Sequence, residues 1–163
     1  NINCLITNNK NSNIGTIGTK FNIDFELCEW NEDSISREEY NSNLLQIVNN
    51  YNDIDLIIFA GWTHIVTEKF INNAPEIINI HPSLPNGFIG LNCIKKAYDS
   101  YQKGEITHTG SMVHKVISDV DKGQVIDTID VPIYDTDSYE DLEKRQKLYE
   151  RGLLISSILV SSR

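Results

Sequence analysis

Residues 76–92 read "EIINIHPSLPNGFIGLN". Ile77, Ile78 and Ile80 make a short run rich in β-branched side chains, which predicts a strand. The run ends at His81-Pro82, and the loop beyond carries Ser83, Pro85, Gly87 and Gly90. Upstream, "IDLIIFA" (54–60) is a continuous apolar run of strand length, the pattern of a parallel strand covered on both faces. "TEKFIN" (67–72) between them predicts a short helix. Strand, helix, strand is the repeating unit of an α/β sheet. In such sheets ligands sit beyond the carboxyl ends of the strands. Asn79 and His81 stand at such an end, two apart, so they point to the same side of an extended chain.

Working outward, "INCLIT" (2–7) predicts a strand, 8–19 a loop with at most a weak helix, and "NIDFEL" (22–27) a short strand. "SREE" (36–39) is a capping box, and Tyr40, Leu44, Ile47 and Val48 make 36–50 an amphipathic helix. Asn92 is placed to cap a helix whose Ile94, Ala97, Tyr98 and Tyr101 share one face. "GSMVHKVIS" (110–118) and "QVIDTIDVPI" (124–133) both alternate, and the short link between them predicts an antiparallel pair. Residues 138–161 read as a closing helix.

The 163 residues suit one domain, and the 40% apolar content contains no run near the ~18–20 residues that span a membrane. The expectation is a soluble chain with no membrane partner. A net charge of −9 argues against a nucleic-acid partner, which needs a basic face, and leaves any anionic substrate to local donors. Cys4, Cys28 and Cys93 are scattered, with no C-x-x-C spacing, which reads as reduced and cytoplasmic with no zinc site. The chain begins at Asn1 rather than Met.

An asparagine amide and an imidazole together can donate to one developing oxyanion. A histidine satisfied by backbone at a strand end is the other reading, and from these residues both stay open. Asp119 and Asp121 lie in the link "SDVDKG" (118–123); turn aspartates are common, yet a carboxylate beside the Asn/His pair would favour the charged imidazole and could relay protons. His114 is either a hydrogen-bonded core histidine or a group close to the site, and a metal held by His81, His114 and Asp121 has no fixed ligand geometry behind it.

"NIHPSLPNGFIG" (79–90), "TGSMVHKVISDVDKGQVI" (109–126) and "VPIYDTDSYEDLEKR" (131–145), in that order, resemble the 10-formyltetrahydrofolate-dependent formyltransferase family over about residues 36–155. "AGWTHIVTEKF" (60–70) resembles its eukaryotic monofunctional branch. The resemblance implies a Rossmann-like α/β fold: a mostly parallel sheet, an antiparallel C-terminal hairpin, and helices on both faces. It implies that 1–163 is a single catalytic domain, N-terminally incomplete, because the family's first strand, Gly-Ser-Asn phosphate loop and first helix have no match here.

The same resemblance implies site residues. Asn79, His81 and Asp121 match the catalytic asparagine, histidine and aspartate. Phe59, Trp62, His64, Ile65 and Val66 match the wall of the folate pocket, with His64 where many bacterial members have arginine. Val116, Ile117, Ser118, Asp119 and Val120 match the loop that closes over the pterin. Arg37, Thr63, Pro82 and Glu150 match groups that bind the acceptor substrate. For Arg37 and Glu150 a plain solvated helix position is the competing reading. Arg151 stands where the family usually has histidine.

The implied reaction is transfer of a formyl group from 10-formyltetrahydrofolate, with no metal, to the primary amine of glycinamide ribonucleotide, the third step of purine (IMP) biosynthesis. The implied enzyme is a cytoplasmic monomer or homodimer. The rivals are a nucleotide-linked amino sugar as acceptor, water as acceptor, and a folate-binding remnant without catalysis.

Overall fold

The computed structural model describes residues 1–31 and 33–161. The chain divides into two compact units, Asn1–Ile57 with Val66–Glu76, and Ile58–Ile65 with the residues from Ile77 onward.

In the first unit, β1 (Cys4–Thr7) pairs in parallel with β2 (Asp24–Leu27), with Cys4 opposite Asp24 and Thr7 opposite Leu27. Between them runs α1 (Ile14–Phe21), a fuller helix than the polar, glycine-containing sequence predicts. Its packing explains it. A Cβ on Gly18 would lie 2.7 Å from the carbonyl oxygen of Ile23 and 2.8 Å from the Phe25 ring, so helix and strand approach as only glycine permits. Tertiary contact here outweighs weak propensity. The helix stops at Asn22, in the left-handed region at φ +53°.

α2 (Arg37–Asn49) starts where the capping box predicts: Ser36 Oγ accepts from the Glu39 amide at 3.2 Å. Tyr40, Leu44 and Val48 are buried, and the Tyr40 hydroxyl donates to the Cys28 carbonyl at 3.2 Å. α3 (Glu68–Asn73) is capped by Thr67, whose own amide donates to Asn41 Oδ1 at 3.0 Å and ties α3 to α2.

The second sheet has the order β3 (Leu56–Ala60), β4 (Glu76–His81), β5 (His108–Lys115), β6 (Val125–Pro132). β5 is antiparallel to both β4 and β6. This is the α/β architecture expected, a parallel sheet that turns antiparallel at its C-terminal strands. The β5–β6 register shifts between Val113 and His114. Thr109 to His114 are all buried, so β5 does not alternate between core and solvent; it is covered on both faces.

Helices α4 (Cys93–Gln102) and α5 (Tyr139–Ser161) pack together and against β5. Their shared core is Val131, Ile133 and Leu142, with Ile94, Tyr98, Tyr101 and Tyr149 around it. Asn92 occupies the N-cap position of α4 but sits at φ +60°, and its side chain makes no capping bond, contrary to expectation. The left-handed backbone turns the side chain away from the amides it would have to meet. At α5 Ser138 and Asp141 form a reciprocal cap, with Asp141 N–H donating to Ser138 Oγ at 3.2 Å and Ser138 N–H to Asp141 Oδ2 at 3.1 Å. Arg145 holds Asp137 through two bonds of 2.6 Å and lies 4.4 Å above the Tyr134 ring. Among the described residues no helix is long and apolar enough to cross a membrane.

Leu142 is fully buried and Leu148 is 63% exposed on the same helix. Leu142→Ala should lose about 2–5 kcal/mol in urea unfolding, and Leu148→Ala at most about 0.5 kcal/mol. The Arg145 guanidinium holds the Asp137 carboxyl below the usual carboxylate range. Its contribution is therefore complete above the unfolded value and is lost as pH falls through the depressed folded one. Asp137→Asn should be less stable than the parent at neutral pH, with the gap closing below about pH 4, in a pH series of thermal melts.

Candidate active site

The strand register assembles the site. Antiparallel pairing sets His114 opposite Asn79 and Met112 opposite His81. Ile77 and Ile78 bury the start of β4, so its last residues are held by the core beneath them. Asn79 Nδ2 lies 3.2 Å from His114 Nε2. His114 Nδ1 lies 2.9 Å from the Lys115 carbonyl oxygen, which can only accept. The proton of His114 is thus on Nδ1, and its Nε2 accepts from the Asn79 amide. One amide hydrogen of Asn79 is spent in this way, and among the described residues the other is left to give.

His81 is 4% exposed, and its Nε2 lies 2.8 Å from the Phe88 carbonyl oxygen, to which it donates. Its Nδ1 faces Asp121 Oδ1 at 3.5 Å. The same oxygen is 3.7 Å from His114 Nε2, and the two imidazoles cross at 76° with centroids 6.4 Å apart. Asn79, His81, Asp121 and His114 therefore form one cluster. Both readings of His81 hold together: it is satisfied by backbone on one side and meets a carboxylate on the other.

Asp121 reaches the cluster through the tight link after β5. Its φ is +56°, a left-handed conformation that aspartate tolerates better than most residues. A Cβ on Gly123 would come within 1.7 Å of the Lys115 carbonyl oxygen, so the link closes as it does only with glycine there. Asp121 Oδ2 accepts from the Gly90 amide at 3.0 Å, binding this link to the loop beyond His81.

That loop explains its prolines and glycines. Ser83 is buried, and its Oγ accepts from the Phe88 amide at 2.8 Å; a Cβ on Gly87 would stand 2.5 Å from the same oxygen. The Ile89 carbonyl accepts from Lys96 Nζ at 2.9 Å, and the Gly90 carbonyl from Cys93 Sγ at 3.0 Å. Cys93 also lies 3.6 Å from His81 Nε2. Burial pushes the Cys93 thiol up, which keeps it protonated and able to donate. No motif signals Cys93, and Phe88 and Gly90, although they lie within the stretch 79–90, were not singled out as site residues. Phe88 and Gly90 act through backbone atoms, to which the identity of the side chain gives no clue.

The remaining expected residues lie as follows. Phe59 stacks on Trp62 at 5.5 Å and 18°, and His64 meets Trp62 edge-on at 6.1 Å. Trp62 Nε1 is buried with no hydrogen-bond partner among the described residues. Ile65, Ile117 and Val120 are exposed apolar side chains of the second unit, and Ser118 and Asp119 are exposed beside the latter two. Val66 is buried in the first unit, where Arg37 lies 5.0 Å over the Trp30 ring. Thr63 is exposed, and Pro82 half-buried next to His81. Glu150 is half-buried on α5, with Ser111 Oγ 3.2 Å from its Oε1. Burial pushes the Glu150 carboxyl up, and the Ser111 bond opposes the shift. Among the described residues no group of three or more His, Cys, Asp and Glu is arranged to hold a metal ion.

A site of this build at the end of β4 has a counterpart in sequence. Residues 1–158 match the family described as formyl transferase. The chain belongs to the formyl transferase family. It is 40% identical over 133 residues to the phosphoribosylglycinamide formyltransferase of Dictyostelium discoideum, covering 78% of this chain and 65% of that protein. It is 39% identical over 128 residues to that of Schizosaccharomyces pombe, covering 76% and 61%. These matches span less than two thirds of the length of either relative. The crystal structure of phosphoribosylglycinamide formyltransferase from Campylobacter jejuni superposes with a TM-score of 0.87 at 25% identity, over 98% of this chain and 80% of that one.

The hydrogen-bond partners make a direct prediction for this formyl transferase. Long-range ¹H–¹⁵N spectra of the imidazoles should find a proton on Nδ1 of His114, with Nε2 accepting from Asn79, and a proton on Nε2 of His81. The opposite tautomer at His114 would mean that Asn79 is oriented differently.

Proposed function

We propose that the chain carries the chemistry of a phosphoribosylglycinamide formyltransferase, moving a formyl group from 10-formyltetrahydrofolate to the primary amine of glycinamide ribonucleotide. One observation carries the mechanism. His81 is anchored by Nε2 to Phe88, while its Nδ1 stands 3.5 Å from Asp121, too far for a full hydrogen bond and near enough for charge balance. An Nδ1–H held there has room to donate to a third group.

The unprotonated amine of the acceptor attacks the formyl carbon, and the carbonyl π pair moves onto the formyl oxygen. The remaining Asn79 amide hydrogen and the His81 Nδ1–H stabilise that oxyanion. Asp121 offsets the imidazolium charge and, through a water, takes the proton that the attacking nitrogen sheds and delivers it to the departing folate nitrogen. The oxyanion pair then re-forms the carbonyl as the bond to that nitrogen breaks. The products are the N-formyl acceptor and tetrahydrofolate.

The likeness to the two curated relatives supports this choice of donor and acceptor. Within the second unit, we assign the pterin to Phe59, Trp62, His64 and Ile65 and to the loop Val116–Val120. Trp62 Nε1 supplies an unsatisfied donor there, and Ile65, Ile117 and Val120 supply apolar surface. The reading places the enzyme in the cytoplasm.

Steady-state kinetics with both substrates test the assignment. Asp121→Asn keeps size and polarity but loses the charge, so kcat should fall by about 10²–10⁴ while reduced-folate binding, followed by titration, stays within about threefold. Near-parental turnover by Asp121→Asn, or no saturable binding of reduced folate to the folded protein, would remove this mechanism.

A further inference from the structure

A second polar network on β5 and α5 takes no part in the chemistry just described. Gln146 precedes Glu150 by four residues on α5, so the two side chains share one helix face. Gln146 is fully buried, and its Nε2 lies 2.6 Å from the Gly110 carbonyl oxygen and 2.7 Å from Ser111 Oγ. Ser111 is also fully buried, and its Oγ lies 3.2 Å from Glu150 Oε1.

Donor and acceptor counting fixes the direction of this chain. An amide oxygen could not face the Gly110 carbonyl oxygen at 2.6 Å, so the nitrogen does, and its two hydrogens go to Gly110 and Ser111. Ser111 Oγ already accepts, and its single hydrogen goes to Glu150. Gln146 Oε1 is left buried with no partner among the described residues. The fold tolerates an orphaned oxygen here while keeping both nitrogen bonds. Of the described groups, Ser111 is the one that hydrogen-bonds the Glu150 carboxylate, and it does so through Oε1.

We propose that Gln146 and Ser111 are positioning residues for the acceptor substrate. They lock Glu150 with Oε1 turned to the strand and Oε2 presented to hydroxyl or amine hydrogens of the incoming molecule. A carboxylate held in this way accepts only, which selects an acceptor rich in donors, such as a sugar with neighbouring hydroxyls. The register gives the arrangement its purpose. Ser111 precedes Met112, which pairs with His81, and His114 on the same strand orients Asn79. One covered strand therefore sets the oxyanion donors and the substrate carboxylate at a fixed spacing.

The inference rests on the reading of Glu150 as an acceptor-binding group, and the test separates the two. Ser111→Ala should raise KM for the acceptor amine about tenfold, with kcat and the KM for the formyl donor within about twofold. Ser111→Thr, which keeps the hydroxyl, should stay within about twofold of the parent on all three. In a Glu150→Gln background Ser111→Ala should add less than about a further twofold, because the two act in series. A fall in kcat matching the rise in KM, or an undiminished effect without Glu150, would overturn the proposal. Independently of turnover, ¹³C titration of the Glu150 carboxyl should show its midpoint move up in Ser111→Ala, since a bond favouring the carboxylate is lost; an unmoved midpoint would also overturn it. If the parent transfers no formyl group at all, the proposed function fails, and the titration alone decides whether Ser111 sets Glu150. If Ser111→Ala does not fold, Ser111→Cys, whose thiol is a much weaker donor to Glu150, is judged by the same readouts.

Discussion

The bond between His81 Nε2 and the Phe88 carbonyl, 2.8 Å long, is the constraint on which the rest of the site depends. It commits one ring nitrogen to a backbone acceptor and so leaves the other to face Asp121. It also ties the end of β4 to the loop beyond it, whose other backbone groups are held in turn. Ser83, Lys96, Cys93 and Asp121 take up the neighbouring amides and carbonyls of residues 88–90. Because Asp121 uses Oδ2 for the Gly90 amide and turns Oδ1 toward His81 Nδ1, its carboxylate is oriented by the fold itself. Groups held in place beforehand need no reorganisation when charge develops, the condition under which such donors contribute most to catalysis.

Strand β5 acts as the ruler for this arrangement. Its antiparallel pairing with β4 places His114 against Asn79, and the same strand carries Ser111 against Glu150 on α5. A slip of one residue would turn His114 and Ser111 to the opposite face and dissolve both contacts. Burial from Thr109 to His114, with α4 and α5 packed against the strand, makes that slip costly. The fully buried Val131 and Leu142 help pack α5 against the sheet, so the position of Glu150 depends on this core.

Much of this was legible in the sequence, for identifiable reasons. Strands β4 and β6 and helices α2 and α5 follow from sequence pattern, α2 also from the cap at Ser36, because those signals are local. Asn79, His81 and Asp121 were named as candidates through spacing and family pattern, and the fold brings them together. Helix α1 was underestimated because its support, the close approach of Gly18 to Phe25, lies outside any local window. Asn92 was misjudged as a cap because its left-handed backbone cannot be inferred from residue type alone. β5 was expected to alternate, and tertiary packing covered both of its faces instead.

By itself the sequence determined most of the elements, α1 excepted, and which chemical groups stand at the end of strand β4, since both depend on short-range pattern and residue type. The tertiary structure alone decided what those groups touch. Which nitrogen of His81 meets Phe88, which hydrogen of Asn79 remains to give, and which oxygen of Glu150 is held by Ser111 all depend on strand register and on contacts between residues far apart in the chain. Hydrogen-bond direction follows from the partner that packing supplies, and packing of distant segments is information that no local stretch of sequence contains.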